Sequence, residues 1–156
     1  MKGLLEGLRY NGSLSSQRVY DAMLMTDRKD FISTKPYDDS PQYISHNATI
    51  SAPHMHAYAM EYLQDYIKEG SKVLDIGSGS GYLVVAFSKM MNDKGVVVGV
   101  EHIKELFDYG LNNISKNNKH LIDSKTIVLS NSDGRNGYEL MAPYNAIHVG
   151  AAAEVI

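Results

Sequence analysis

The chain has 156 residues, no cysteine, and 15 Lys+Arg against 18 Asp+Glu for a net charge of −3. That length suits one domain with a real core, and the lack of cysteine excludes a disulfide framework, a thiolate-held zinc and a cysteine nucleophile. The charge balance argues against a nucleic-acid binder, and no apolar run is long enough to span a membrane.

Met1 to Tyr10 mixes Lys2, Glu6 and Arg9 with its leucines and lacks the apolar core of a signal peptide. A cytoplasmic enzyme or binding protein is therefore the expected class. Eleven Tyr and eight Met with no Trp read as adaptable packing rather than as a functional stripe.

Leu4, Leu5 and Leu8 predict a short first helix, stopped at Asn11-Gly12. Ser15 and Ser16 are candidate caps for a second, with Val19, Ala22, Met23 and Met25 inward. Residues 33–41 hold two prolines and read as a loop, and 42–50 as one or two short extended pieces. Ser51-Ala52-Pro53 predicts a helix start, with Ser51 as cap and Pro53 in the first turn. Ala59, Met60, Leu63, Tyr66 and Ile67 carry that helix to Lys68 and Gly70.

Beyond residue 72 the pattern changes. Val73-Leu74-Asp75-Ile76 is a strand running into Gly77-Ser78-Gly79-Ser80-Gly81. Leu83, Ala86, Phe87 and Met90 mark a helix, and Val96–Val100 the clearest strand. Ile103, Leu106, Phe107, Gly110, Leu111 and Ile114 form the next helix, followed by a polar loop at Asn117–His120. Strands follow at 126–129 and 144–149, separated by turns around Asp133-Gly134-Arg135. Apolar strands alternating with amphipathic helices imply a parallel sheet covered on both faces.

A strand, a glycine loop and a helix in succession make a nucleotide-type site, because glycines let backbone turn tightly and approach a ligand. The loop is neither Gly-x-Gly-x-x-Gly, since Tyr82 stands where the last glycine would, nor a Walker loop. A ligand without phosphates fits better, and S-adenosylmethionine is the obvious one. Asp75 would repel a pyrophosphate but suits a sulfonium and an α-amino group. Glu101, at the end of the next strand, can accept two hydrogen bonds from a ribose diol. Asp133 reads either as an adenine contact or as Asp-Gly turn chemistry.

The segments Ala48–Ala57 and Leu74–Gly81 resemble protein-L-isoaspartate (D-aspartate) O-methyltransferases. Further matches are Glu101–Leu106, Ser132–Arg135, Ala142–Ala153, Thr26-Asp27-Arg28 and Tyr37–Pro41. The glycine loop is generic to methyltransferases, whereas the Ser51–His56 segment is specific to this family. The resemblance implies an α/β fold, a Rossmann-like S-adenosylmethionine-dependent methyltransferase sheet behind an N-terminal helical segment. Residues 1–50 would lie over the active site and 51–156 would form an incomplete cofactor-binding domain.

The activity implied is protein repair. A methyl passes from S-adenosyl-L-methionine to the free carboxylate of L-isoaspartyl and D-aspartyl residues in damaged peptides and proteins, leaving S-adenosyl-L-homocysteine. By family correspondence Ser51 is catalytic. Ala48, Thr49, Ile50, His56, Asp75, Gly77, Ser78, Gly79, Ser80, Glu101, His102, Asp133 and Gly134 form the cofactor site. No nucleic acid, membrane or metal enters this reading. In His54-x-His56 the side chains diverge on a helix, with no carboxylate at ligand spacing. Residue chemistry alone assigns nothing to His54, His102 or His148.

A carboxylate nucleophile is already ionised at neutral pH, with a pKa of about 4, so no strong base is needed. Positioning is the main task, and the Ser51 hydroxyl can aim the carboxylate. Two other readings stand beside this one: a methyltransferase of another acceptor, and a catalytically silent piece. The second arises because the family sheet holds more strands than the about four parallel strands this chain supplies. The C-terminal strands are expected to be missing, a helix should begin after Gly150, and the last strand is expected to be an open edge prone to self-association.

Overall fold

The computed structural model describes residues 1–152. α1 (Lys2–Tyr10) buries Leu5 and Leu8 and ends where Gly12 adopts φ +82°, the left-handed stop that glycine supplies without strain. α2 (Gln17–Leu24) starts at Ser16, whose hydroxyl accepts from the Val19 amide at 3.4 Å. Val19, Ala22 and Met23 point inward as expected, but Met25 lies past the helix end and is exposed. A 3-10 turn over Arg28–Asp30 follows. β1 (Gln42–Ser45) and β2 (Ala48–Ile50) then form an antiparallel hairpin. His46 and Asn47 sit at φ +48° and +56° in its turn, the sign that tight hairpin turns require.

α3 (Pro53–Leu63) departs from expectation at both ends. Its cap position is Ala52, not Ser51, and Ala52 supplies no side-chain bond. Asp39, from the preceding loop, accepts from the His54 amide at 2.9 Å and pairs with His54 Nδ1 at 2.8 Å. Ser51 is drawn out of the capping position because Arg28 Nη2 donates to its carbonyl at 2.8 Å. The helix stops at Leu63 rather than Lys68. Arg18 donates to the carbonyls of Gln64 and Ile67, satisfying acceptors that a longer helix would have used, and ties them to the Met90 carbonyl at the end of the helix over Tyr82–Met90. Replacing Asp39 by alanine is expected to lower unfolding stability by about 1 kcal/mol, the usual worth of a helix cap, read as a drop in thermal midpoint.

The main sheet comprises β3 (Lys72–Ile76), β4 (Val96–Glu101), β5 (Ile127–Asn131) and β6 (Ala146–Val149). Its order is β5-β4-β3-β6, and every pairing is parallel. The chain steps outward from β3 to β5 through α4 (Tyr82–Met90) and α5 (Lys104–Asp123). It then returns to the other side of β3, which makes the β3–β6 boundary the topological switch point, where ligands bind in such sheets.

Strand alternation sorts the core. Val73, Val97, Ile127 and Ala146 pack with Val84, Phe87, Ile114 and Leu121 and with Leu5, Leu8, Leu14, Val19 and Met23. Residues 1–50 thus share the sheet's own core. The opposite face carries Leu74, Val98 and Val100 under Tyr138, Met141 and Tyr144. Helical cover on both faces is therefore not what forms among the described residues. α4 and α5 belong to successive crossovers in one direction, and right-handed crossovers in one direction place their helices on one face. The return from β5 runs through two 3-10 turns, Gly134–Asn136 and Glu139–Met141, instead.

The expected loop at 117–120 is also corrected. α5 continues to Asp123, with a kink at Asn118 (φ −127°, ψ 22°). Burial of Leu121 and the bond from Asn117 Nδ2 to Asp30 at 2.8 Å hold the far part of the helix against the body. Among the described residues β6 pairs only with β3, and its Ile147 and Val149 are each 54% exposed. The helix expected after Gly150 falls mostly on residues 153–156, outside the described residues. No described helix is long and apolar enough to cross a membrane.

Candidate methyl-donor and acceptor site

After Ile76 the backbone reverses through Gly77, Gly79 and Gly81, at φ +81°, +48° and +83°, values that side chains other than glycine's rarely tolerate. α5 presses on this loop from behind. A Cβ on Gly110 would stand 2.6 Å from the Gly79 carbonyl. Asn113 Nδ2 donates to the carbonyls of Ser80 and Phe31 at 3.2 and 3.3 Å. Glu101, 5% exposed, accepts from the amides of Gly79 and Ile103 at 3.1 and 3.0 Å. Its carboxylate is thus an anchor of the loop as well as the candidate ribose acceptor that the sequence suggests.

In front of the loop lies a pocket lined by Thr49, Ile50 and Ser51 from the end of the hairpin, His56 from α3, Asp75, Gly77–Ser80 and Leu83, and His148 and Gly150 after the switch point. Asp75 is 1% exposed, and its Oδ1 pairs with His148 Nδ1 at 2.7 Å. The Ser51 hydroxyl carries no side-chain bond among the described residues, while its carbonyl is fixed by Arg28. Arg28 is wholly buried, with Nη1 3.3 Å from His56 Nδ1. Since arginine only donates, His56 Nδ1 is the acceptor and its proton sits on Nε2. Burial, reinforced by the Arg28 and His148 charges, holds His56 well below its ordinary value. It is therefore a neutral imidazole, stacked on Tyr82 at 4.6 Å.

The structure thus brings together Thr49, Ile50, Ser51, His56, Asp75, Gly77, Ser78, Gly79 and Ser80 of the residues expected at the site. Ala48, Glu101, His102, Asp133 and Gly134 lie outside this pocket lining. Ala48 opens β2. Glu101 stands at the carboxyl end of β4, and Asp133 follows the end of β5 on the same edge of the sheet. Gly134 backs onto Ile76, with room for no Cβ (2.5 Å to Cγ2). His102 is exposed beside Glu101, 3.4 Å from Oε1. The Arg135 guanidinium and amide grip Asp133 and hold its carboxyl down at about 2, so it caps its own turn. Two residues escaped the sequence reading. Arg28 falls in the Thr26-Asp27-Arg28 match without a role attached to it, and the partner that gives His148 a role is 73 residues away.

An acidic floor fits a cationic ligand, and a glycine loop backed by α5 leaves room for one to approach. Together with a β3–β6 switch point, these features define the sheet and cofactor pocket of an S-adenosylmethionine-dependent methyltransferase. The family model described as protein-L-isoaspartate(D-aspartate) O-methyltransferase (PCMT) matches residues 1–156, and the chain belongs to that family. A Caenorhabditis elegans protein-L-isoaspartate O-methyltransferase is 48% identical over 97% of this chain and 67% of its own. An Arabidopsis thaliana protein-L-isoaspartate O-methyltransferase 2 is 44% identical over 99% of this chain and 51% of its own. The chain therefore spans between about half and two thirds of these relatives. The crystal structure of a Plasmodium falciparum protein-L-isoaspartate O-methyltransferase in complex with S-adenosyl-L-homocysteine superposes with a TM-score of 0.94, at 38% identity, over 99% of this chain and 75% of its own.

Proposed function

We propose that the chain moves a methyl group from S-adenosyl-L-methionine to the free carboxylate of L-isoaspartyl, and also D-aspartyl, residues in damaged proteins. The observation that carries this reading is the meeting of Thr49–Ser51, at the end of β2, with the Asp75–Ser80 strand end and loop around one pocket. Bound there, the cofactor supplies an electrophilic methyl whose sulfur leaves as a neutral thioether. The residues of the chain do the rest by placement. Asp75 faces the cationic part of the donor, and the glycine loop approaches it without side chains. Glu101, Asp133 and Gly134 extend the proposed site along the carboxyl edge of the sheet, with Ala48 and His102 at its margins.

Ser51 donates a hydrogen bond that aims the acceptor carboxylate. That oxygen bonds the methyl as the sulfur–methyl bond breaks, so both charges vanish and no proton moves. His56, neutral and occupied by Arg28, is not needed as a base. Arg28 fixes the Ser51 carbonyl and adds a buried positive charge behind it, which favours an arriving anion.

The test is incubation with labelled S-adenosylmethionine and paired peptides that differ only in Asp against isoAsp. Label in the isoAsp peptide alone supports the reading. Cofactor binding without label points to another acceptor, and neither binding nor label to a silent chain. Ser51→Ala is expected to lower kcat about tenfold to a hundredfold, as expected for a lost positioning bond, with the dissociation constant for S-adenosylhomocysteine nearly unchanged. Equal losses in both would make Ser51 structural.

The proposed compartment is the cytoplasm, where a cysteine-free chain meets ageing proteins; fractionation of cells producing the chain tests this. The exposed side of β6 is the proposed self-association surface, and sedimentation showing a stable monomer would count against it.

A further inference from the structure

We propose that His148 is a positioning residue of the methyl-donor site: it holds the Asp75 carboxylate and makes the choice between the sulfonium donor and its thioether product depend on protonation. This rests on the cofactor reading above.

The geometry is specific. Asp75 and His148 are register partners on β3 and β6, at the switch point of the sheet. His148 Nδ1 lies 2.7 Å from Asp75 Oδ1, and of the described residues only His148 bonds that carboxylate through a side chain. Both residues line the pocket, with side chains 2% and 22% exposed for Asp75 and His148. The ring is gripped on its other sides. Phe87 of α4 meets it edge-on at 6.1 Å, and a Cβ on Gly150 would stand 3.2 Å from its Cε1. The second carboxylate oxygen remains for a ligand.

The charges around the ring are few. β3 presents Asp75. α3 presents His56, kept neutral by burial, with the Arg28 guanidinium beside it. α4 presents Phe87 to the ring, and its Tyr82, stacked on His56, is held neutral by burial; the Gly77–Ser80 loop carries no titratable group. Burial pushes His148 toward the neutral form, but the hydrogen bond and charge of Asp75 outweigh it and raise the value above the ordinary one. The imidazolium, and with it a pair of little net charge, therefore persists to higher pH than an ordinary histidine would allow.

S-adenosylmethionine and S-adenosylhomocysteine differ at this site by one methyl and one positive charge. The adenosine and amino-acid parts act alike in both and cancel from the comparison. A sulfonium in the pocket repels the imidazolium, and a thioether does not. Binding the donor therefore releases more proton than binding the product. The preference for donor over product must rise as pH rises through the titration of His148, and product inhibition must be heaviest in acid.

Calorimetry with the two ligands and no acceptor tests this. The ratio of product to donor dissociation constants is expected to rise about threefold to tenfold as pH is raised through the ordinary histidine range and beyond it, the direction in which the Asp75 pair moves the titration. His148→Asn keeps a donor near the Nδ1 position. It should hold both affinities within about threefold at the upper pH, a small change on the affinity scale, with a ratio that no longer moves with pH. His148→Leu should weaken both ligands. A ratio that is flat in the unsubstituted chain, or that moves equally in His148→Asn, overturns the proposal while leaving the cofactor reading intact. Failure of the unsubstituted chain to bind either ligand overturns both. Melting curves of the variants separate loss of folding from loss of positioning.

Discussion

Asp75→Asn is expected to weaken S-adenosylhomocysteine binding by about tenfold to a hundredfold, or roughly 1.4–2.7 kcal/mol, with little change in fold. The side chain is 1% exposed at the end of β3, so its charge acts where water screens little. Asparagine keeps the shape and one acceptor for His148, so the loss reports charge rather than packing. The same variant changes how stability depends on pH. In the unsubstituted chain Asp75 raises His148 above its ordinary value. A raised value contributes stability that is fully present below the unfolded value of about 6.5 and is lost as pH rises through the folded one. In Asp75→Asn burial acts unopposed, the ring prefers to be neutral, and the sign reverses: stability falls on acidification. Calorimetric titration and melting curves from about pH 5 to about pH 9, spanning the histidine range, check both statements. Unchanged affinity for S-adenosylhomocysteine would remove Asp75 from the site.

How much of this was legible depends on the distance over which each feature is decided. The strand, glycine loop and helix over 72–90 are fixed by local chemistry, and they stand where the periodicity puts them. The hairpin at 42–50 was half visible because its turn rests on His46 and Asn47 at positive φ, which composition alone does not announce. The cap of α3 was misplaced because a serine before a proline is a sound local signal, yet Asp39 reaches in from the preceding loop. The kinked helix around Asn118 looks like a loop in the sequence because a run of polar residues hides the buried Leu121 beyond it. Arg28 and His148 were invisible as site residues for one physical reason. Each acquires its partners only when β2, β3, α3 and β6 converge, and no short-range pattern encodes that meeting. The absence of α-helices from the second face among the described residues has the same origin, since it depends on the direction of successive crossovers.

Gly110→Val is expected to lower stability by about 3 kcal/mol, at the upper end of overpacking costs, and to weaken S-adenosylhomocysteine binding in the same variant. Gly110 falls on the apolar stripe of α5 in the sequence, where it reads as one more inward residue. Its contacts give it a sharper role. A Cβ there would lie 2.6 Å from the Gly79 carbonyl and 3.5 Å from the Gly81 nitrogen, both backbone atoms that cannot swing aside. Either α5 lifts from the sheet or the glycine loop shifts. Lifting α5 strains the Asn113 bonds to Ser80 and Phe31, and shifting the loop strains the Gly79 amide bond to Glu101. Alanine gains about 1 kcal/mol of helix propensity over glycine, so Gly110→Ala sets that gain against the close contact and should be milder than valine. Asn112, exposed on the outer side of the same helix, provides the control: Asn112→Ala should leave both melting and affinity unchanged. The pairing of effects is what distinguishes the causes. Asp75→Asn costs affinity through charge with the fold intact, whereas Gly110→Val costs affinity because the loop itself is displaced, so its thermal midpoint and its dissociation constant must worsen together. A valine variant that melts like the unsubstituted chain would show that α5 does not set the position of the glycine loop.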